Sequence, residues 1–484
     1  MRKPGISRVA LVAGGIGAAL FAGAVHGGPP EFEDCRLHAP GGGAAQAARC
    51  TRIAVPEDHG HPEGRHIELH VAVVPSRASQ PAADPVVLLS GGPGQAASES
   101  YVEMHRLFHG IRGEREVLLI DQRGTGRSSP LQCPGVEESL EAPALTEDAA
   151  SIAGRVRRCR DEIDADLRHY GSDAAVADLE WVREALDFEQ LNLYGFSYGS
   201  RPAQLYAARH PQRTRSVVMD GVLPLTVPLG ETIDATASGV VEDELAGCTE
   251  DAECAAALPG LHSAYTQLLG ELAERPRQVA FEHPRDGSPE QATVNADELQ
   301  RMLRLLAYQP ETRVMIPLLL HRASEGALHR LVALARDFDY GLDQRIHWMQ
   351  HLAVICREDQ PHISPRVREA SRELQLLGAA CREWPGGARE RFAETLPDTV
   401  PMLLLSGEKD PVTPHAPVAE MAEGYPLVRA VEAPGQGHIV SMRGCLPEKI
   451  AGFFRQPEPR AHDLECVARL SAPGRMLNLN GPTP

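Results

Sequence analysis

The chain has 484 residues, 43% hydrophobic and 24% charged, a composition that excludes wholesale disorder and leaves room for two or three domains at roughly 150 residues each. Asp and Glu number 66 against 48 Lys and Arg, a formal net charge of −18, which argues against a nucleic-acid binder, since such a protein needs clustered positive charge to displace phosphate counterions. The 44 Gly and 39 Pro are scattered, without the collagen period or the repeat spacing of a solenoid or propeller.

The chain begins with Arg2, Lys3 and Arg8 and no acidic residue, then an apolar run over 9–25, then the small-x-small triplet Ala22-Gly23-Ala24 and the breaker Gly27-Gly28-Pro29-Pro30. This layout predicts a secretory signal peptide over 1–24, with an uncleaved membrane anchor as the alternative. The mature chain is then expected outside the cytoplasm, in periplasm or medium, without stable membrane association. Ten cysteines are an even set, which in an exported chain favours disulfides. Spacing does not fix connectivity. Pairing sequence neighbours gives Cys35 with Cys50, Cys133 with Cys159, Cys248 with Cys254, Cys356 with Cys381, and Cys445 with Cys466. Neither C-x-x-C nor H-E-x-x-H occurs, and the cluster His59, His61, His66 and His70 reads as solvated loop and strand histidines, so no metal site is expected.

Along the chain, 67–74 has strand character, and 85–90 (PVVLLS) and 116–121 (EVLLID) are short buried-strand runs closed by Gly-rich turns. A helix is predicted over 98–109. Another over 173–186 places Val176, Leu179, Val182 and Leu186 on one face. Strand 191–195, helix 200–209 and strand 215–220 follow. Alternating strands and helices predict an α/β class with a mostly parallel sheet flanked by helices, its first part over 25–225. From 226 to 397 strand signal is scarce and helices are predicted at 296–307, behind the candidate N-cap Asn295, at 314–321 and at 346–355. This block reads as an inserted helical lid. Strand character returns at 400–406 and 427–432, with a helix near Met421, giving a second core part over 398–456. The tail 457–484 is Pro-rich and weakly patterned, with Cys466 as its expected tether.

Gly195-Phe196-Ser197-Tyr198-Gly199 is G-x-S-x-G between a predicted strand and a predicted helix. A sharp strand-to-helix turn throws the hydroxyl out of the sheet, and small flanking residues relieve the crowding, so Ser197 is the candidate nucleophile. Its partners in such a fold follow in the order Asp, His. Asp410 lies directly after the strand VPMLLLS and His438 in a Gly-rich loop after the last strand. Asp410 would hold one ring nitrogen while the other takes the Ser197 proton. Acyl transfer also needs oxyanion donors, for which the backbone N–H groups of Gly92, in Ser90-Gly91-Gly92-Pro93-Gly94, and Tyr198 are the candidates. Gly92-x-Gly94-x-x-Ala97 with Asp121 also fits a dinucleotide loop. Pro93 removes a phosphate-facing N–H, however, and that reading leaves Ser197, Asp410 and His438 unexplained. The run 121–128 (DQRGTGRS) lacks the phosphate-loop G-K-[ST] and reads as a structural turn in which Asp121 pairs with the arginines.

Together SGGPG, DQRGTGRS, GFSYGS with RPAQLYAARHP, VVMDGVLP, GEKDPVTP and GQGHIV closely resemble the α/β-hydrolase serine peptidases that include prolyl and tripeptidyl aminopeptidases. The likeness covers about 50–454 and is strongest at 85–225 and 398–440. It implies an α/β-hydrolase fold with an inserted lid, and a nucleophile Ser197, acid Asp410 and base His438 that work without metal or cofactor. The implied partners are peptides with a free N-terminus, from which residues or short peptides are released. Ser90, where prolyl aminopeptidases usually carry His, and the C-terminal segment suit the tripeptidyl branch. Such lids place acidic residues against the substrate α-ammonium, and Cys356-Arg357-Glu358-Asp359 resembles a family stretch that makes Glu358 and Asp359 the candidate anchors. An esterase acting on small acyl esters is the alternative activity, since the same triad serves both. A catalytically silent binding scaffold is a third reading, disfavoured by the intact triad.

Overall fold

The computed structural model describes residues 30–133 and 145–482, and the predicted signal segment at 1–24 lies outside them. The described residues contain thirteen strands: β1 Glu33–Leu37, β2 Gln46–Pro56, β3 His66–Val74, β4 Val86–Leu89, β5 Val117–Ile120, β6 Leu191–Phe196, β7 Thr214–Asp220, β8 Arg277–Glu282, β9 Pro289–Val294, β10 Met402–Gly407, β11 Val428–Ala433 and the short tail pair β12 Met476–Asn478 and β13 Gly481–Pro482. Nine of them form one sheet in the order β1-β2-β3-β5-β4-β6-β7-β10-β11. From β5 to β11 neighbours run parallel, and β1 to β3 add an antiparallel edge.

Mostly apolar residues fill the central parallel strands β4, β5, β6 and β10, whose two faces are buried almost throughout, as a sheet covered by helices on both sides requires. Alternation divides them. Leu88, Tyr194, Val218 and Leu405 face the helices Ala97–Met104 and Leu446–Arg455, while Val87, Leu193, Val217 and Leu404 face Ser172–Ala185 and Ser200–Arg209. After β4 the chain moves to β5 on one side and then to β6 on the other, so the sheet changes direction between β4 and β6. Loops leaving the carboxyl ends of two such strands part and open a crevice there. The turns Gly91–Gly94 and Ser197–Gly199 sit at its mouth.

Between β7 and β10 the chain is mainly helical and has its own apolar core, including Leu245, Leu268, Leu303, Leu320 and Leu331. It also contains the antiparallel hairpin β8–β9, which the sparse strand signal concealed because only alternate residues are buried. A further cluster joins the lid to the first core part. Ile152, Val156 and Cys159 of helix Ala149–Glu162 pack with Leu352, Leu376 and Ala380 of the lid. All five neighbour disulfides form, closing spans of 15, 26, 6, 25 and 21 residues. The tail is tied by more than Cys466. Val467 is buried, Gln436 Nε2 donates to the Ser471 carbonyl (3.0 Å), and Met476 and Leu477 pack on the lid core. Among the described residues no helix is long and apolar enough to cross a membrane.

Candidate active site

The strand-to-helix turn after β6 holds Ser197 at φ +52°, a left-handed conformation that a non-glycine residue adopts only where its surroundings enforce it. The flanking glycines are sterically required. A Cβ at Gly195 would meet the Gly199 carbonyl, and one at Gly199 would meet the Leu89 carbonyl of β4. Ser200 Oγ pins the turn by donating to the Ser197 carbonyl (2.6 Å) and accepting from the Leu223 N–H (2.9 Å). Tyr198 is buried, its hydroxyl 2.8 Å from Ser172 Oγ, which fixes the peptide whose N–H was singled out as an oxyanion donor.

Asp410, in the turn after β10, accepts from the N–H groups of Val412 (2.8 Å) and Thr413 (2.9 Å) through Oδ1, and from Thr413 Oγ1 (2.8 Å) through Oδ2. Its Oδ2 lies 2.8 Å from His438 Nδ1. That contact sets the tautomer and leaves Nε2 for other work. Burial alone would lower the His438 pKa, but Asp410 and then Asp220 outweigh it and hold the imidazole above the ordinary histidine value.

Both the base loop and the glycine loop are held by the lid. The His438 N–H donates to the Tyr308 carbonyl (2.8 Å), and the Tyr308 ring stands edge-on to the imidazole at 5.4 Å. Buried Arg313 donates to the Gly435 carbonyl (2.8 Å) and to Glu244 (2.7 Å). At the glycine loop, the His347 N–H donates to the Gly94 carbonyl (2.9 Å), and His351 Nδ1 donates to the Pro93 carbonyl (3.0 Å). A Cβ at Gly94 would lie 2.9 Å from the His347 carbonyl oxygen, so lid backbone packs directly against this glycine. Asp121, the acid of the dinucleotide alternative, is fully buried and accepts from Ser98 N–H (2.8 Å), Ser98 Oγ (3.0 Å) and the Arg127 N–H (3.1 Å). Arg123 pairs with Asp178 rather than with Asp121. Of the four clustered histidines, His70 is buried 3.2 Å from Asp121 instead of lying on a solvated surface. Among the described residues no group of three or more His, Cys, Asp and Glu side chains could hold a metal ion.

A cleft of about 600 Å³ runs between sheet and lid, and Gly92, Ser197 and His438 all line it. One stretch of wall is apolar, with Leu352, Leu376 and Leu377. Another is charged: Arg304 donates to Asp234 (3.0 Å) and to Glu373 (2.6 Å). Two carboxylates on one guanidinium leave a net negative charge there. Their side chains are 50% and 41% exposed. Burial alone would raise the Glu373 pKa, but Arg304 outweighs it and keeps the carboxyl ionised below the usual range.

Glu358 and Asp359 are placed elsewhere, and this corrects the expectation that they meet a substrate amine. Their side chains are 2% and 0% exposed and line no part of the cleft. Arg201, on the helix after Ser197, donates to Glu358 (3.2 Å) and to both Asp359 oxygens (2.9 and 2.6 Å). Ser172 donates to Glu358 through its N–H and its hydroxyl, both at 2.6 Å. Burial, its largest influence, raises the Glu358 pKa despite Arg201. The pair is a buried strut between lid and nucleophile helix. No local sequence cue points to Asp234 and Glu373. Each is a first-turn acid of an amphipathic helix, the commonest place for an acid that only complements the helix dipole.

A family model for the alpha/beta hydrolase fold matches residues 84–274. A second, for TAP-like protein, matches residues 368–466 and so begins inside the lid. Serine protease Hip1 of Mycobacterium tuberculosis is 26% identical over 484 residues, covering 88% of this chain and 89% of its own. Tripeptidyl aminopeptidase of Streptomyces lividans is 25% identical over 221 residues, 43% of this chain and 41% of that one. Proline iminopeptidase of Xylella fastidiosa is 30% identical over 149 residues, 31% and 36% of the two chains. The sheet order, the turn that carries Ser197 and these matches show an α/β-hydrolase fold in a chain similar in sequence to a serine protease and to aminopeptidases.

Proposed function

We propose that this chain is an exported serine aminopeptidase that cleaves residues or short peptides from free N-termini through an acyl-enzyme. The observation that carries this reading is that Ser197 on its strained turn and His438, held from behind by Asp410, line one cleft that the carboxylates of Asp234 and Glu373 also line. Ser197 Oγ attacks the scissile carbonyl as His438 Nε2 takes its proton, and Asp410 holds Nδ1–H and stabilises the imidazolium. The backbone N–H groups of Gly92 and Tyr198 receive the oxyanion. His438 then protonates the leaving amine, and water, activated by the same base, releases the acyl group. Asp234 and Glu373 take the place assigned to Glu358 and Asp359. Arg304 neutralises only one of them, so a substrate α-ammonium supplies the missing cation. Ten cysteines paired as five disulfides support export, since such bonds persist in oxidising compartments. The peptidase names of the relatives support the reaction class.

The test is hydrolysis of chromogenic mono-, di- and tripeptide anilides, each with a free and an acetylated N-terminus, beside a Ser197→Ala control. Cleavage of the free-amine set alone, lost in the control, is the expected result. Equal cleavage of blocked substrates, or turnover of simple esters only, would replace the aminopeptidase by an esterase.

A further inference from the structure

One buried carboxylate near the base has no part in the reaction as derived. Asp220 ends β7, is fully buried, and reaches the loop that carries His438. Its Oδ1 and Oδ2 accept from the Val440 N–H at 2.9 and 3.0 Å, and Oδ2 accepts from the Ser441 N–H at 2.8 Å. The Tyr194 hydroxyl lies 3.4 Å from Oδ2 and 2.6 Å from Ser441 Oγ. Between the base and these held amides stands Ile439 at φ +67°, a conformation disfavoured for a β-branched residue and kept only where its surroundings impose it. Gly221, next to Asp220, leans on the imidazole: a Cβ there would lie 2.8 Å from His438 Cε1.

We propose that Asp220 is a positioning residue for the base, fixing the 439–441 turn through its backbone N–H groups and setting a second negative charge beside the imidazolium. This rests on the reading of His438 as the base. The titratable groups against the ring are Asp410 from the turn after β10, Asp220 from β7 and Tyr308 from the lid. Of these, the two carboxylates favour the protonated ring against its burial. Asp410 holds Nδ1 and Asp220 holds the backbone, so the two carboxylates are not interchangeable.

The test compares Asp220→Asn with the wild type in kcat, KM and the pH dependence of fluorophosphonate labelling at Ser197. Asparagine keeps the shape, loses the charge and brings an NH2 group that cannot accept from the turn. The expected result is a loss of about 10²-fold in kcat, the effect of a small misplacement of a reacting group, with KM little changed and the acid limb of labelling moved to lower pH. Should Asp220→Asn fail to fold, Asp220→Asn/Ile439→Gly carries the same readings. Glycine adopts positive φ freely, so the turn forms without the carboxylate while the limb stays displaced. A folded variant with wild-type kcat and an unmoved limb overturns the proposal alone. A wild type that fluorophosphonate does not label at Ser197 overturns the reading of the site first and the proposal with it.

Discussion

The sheet-side wall of the cleft carries Ser197 and His438, with Asp410 buried behind the imidazole, on turns that leave the ends of β6, β11 and β10. The lid-side wall carries Asp234, Arg304 and Glu373 on three helices distant in sequence. On the first wall, backbone geometry dictates residue type. Gly195 and Gly199 have no space for a side chain, and the acid and base occupy strand ends in a set order. On the second wall only the meeting of three helices makes a site, and each residue alone passes for an ordinary surface charge. On the proposed reading, chemistry is fixed by local backbone on the sheet, and selectivity by tertiary packing on the lid.

The sharpest way to break this division is to remove the nucleophile. Ser197→Ala should lower kcat by about 10⁶-fold without altering the unfolding midpoint. A residual rate near that of the wild type in an anilide assay would move the chemistry elsewhere. Asp410→Asn should cost about 10⁴-fold in kcat, because asparagine favours the wrong imidazole tautomer. A loss confined to KM would show that Asp410 acts on substrate instead.

The two acidic pairs of the lid separate by kind of effect. Glu358→Ala leaves Arg201 and Ser172 with unmatched buried groups and should lower stability by about 3–5 kcal/mol, the range for breaking a buried ion pair, read by urea unfolding with disulfides intact. Glu373→Gln should hardly move that midpoint, but should raise KM for free-amine peptides about tenfold, the equivalent of about 1.4 kcal/mol. If the effects were exchanged, Glu358 would be the anchor and Glu373 the strut.

The smallest expected effect is on pH. Because His438 titrates above the ordinary histidine value and must be neutral to act as base, kcat/KM should rise with pH along a limb that lies above that of an unperturbed histidine. The same shift links to stability. A histidine whose folded pKa is raised contributes stability that is fully present below its unfolded pKa and is lost as pH rises through the folded value. Unfolding midpoints across that window should fall as activity rises, and a midpoint that climbs there would contradict the assignment.

Much of the sheet wall was legible in the sequence because Gly-rich turns and short apolar runs are local signals. The parallel strands and the turn of Ser197 follow from them, as does helix Ala296–Ala307 behind its Asn295 cap, whose side chain accepts from the Glu298 N–H (2.8 Å). The half-exposed hairpin β8–β9 escaped because an edge ribbon over a helical core has only a few buried side chains. Glu358 and Asp359 stood out through a sequence pattern, yet pattern says nothing of direction, and Arg201 turns them inward. The hold of Tyr308 and Arg313 on the base loop works through backbone carbonyls, which carry no sequence signature.

The most direct test of an acyl-enzyme formed from a free N-terminus is mass spectrometry of acid-quenched enzyme during turnover of a free-amine tripeptide ester. The account predicts a mass gain equal to the N-terminal fragment of the substrate, located on Ser197 and absent when the N-terminus is acetylated. Turnover with no adduct at Ser197, or an equal adduct from the acetylated ester, would contradict it.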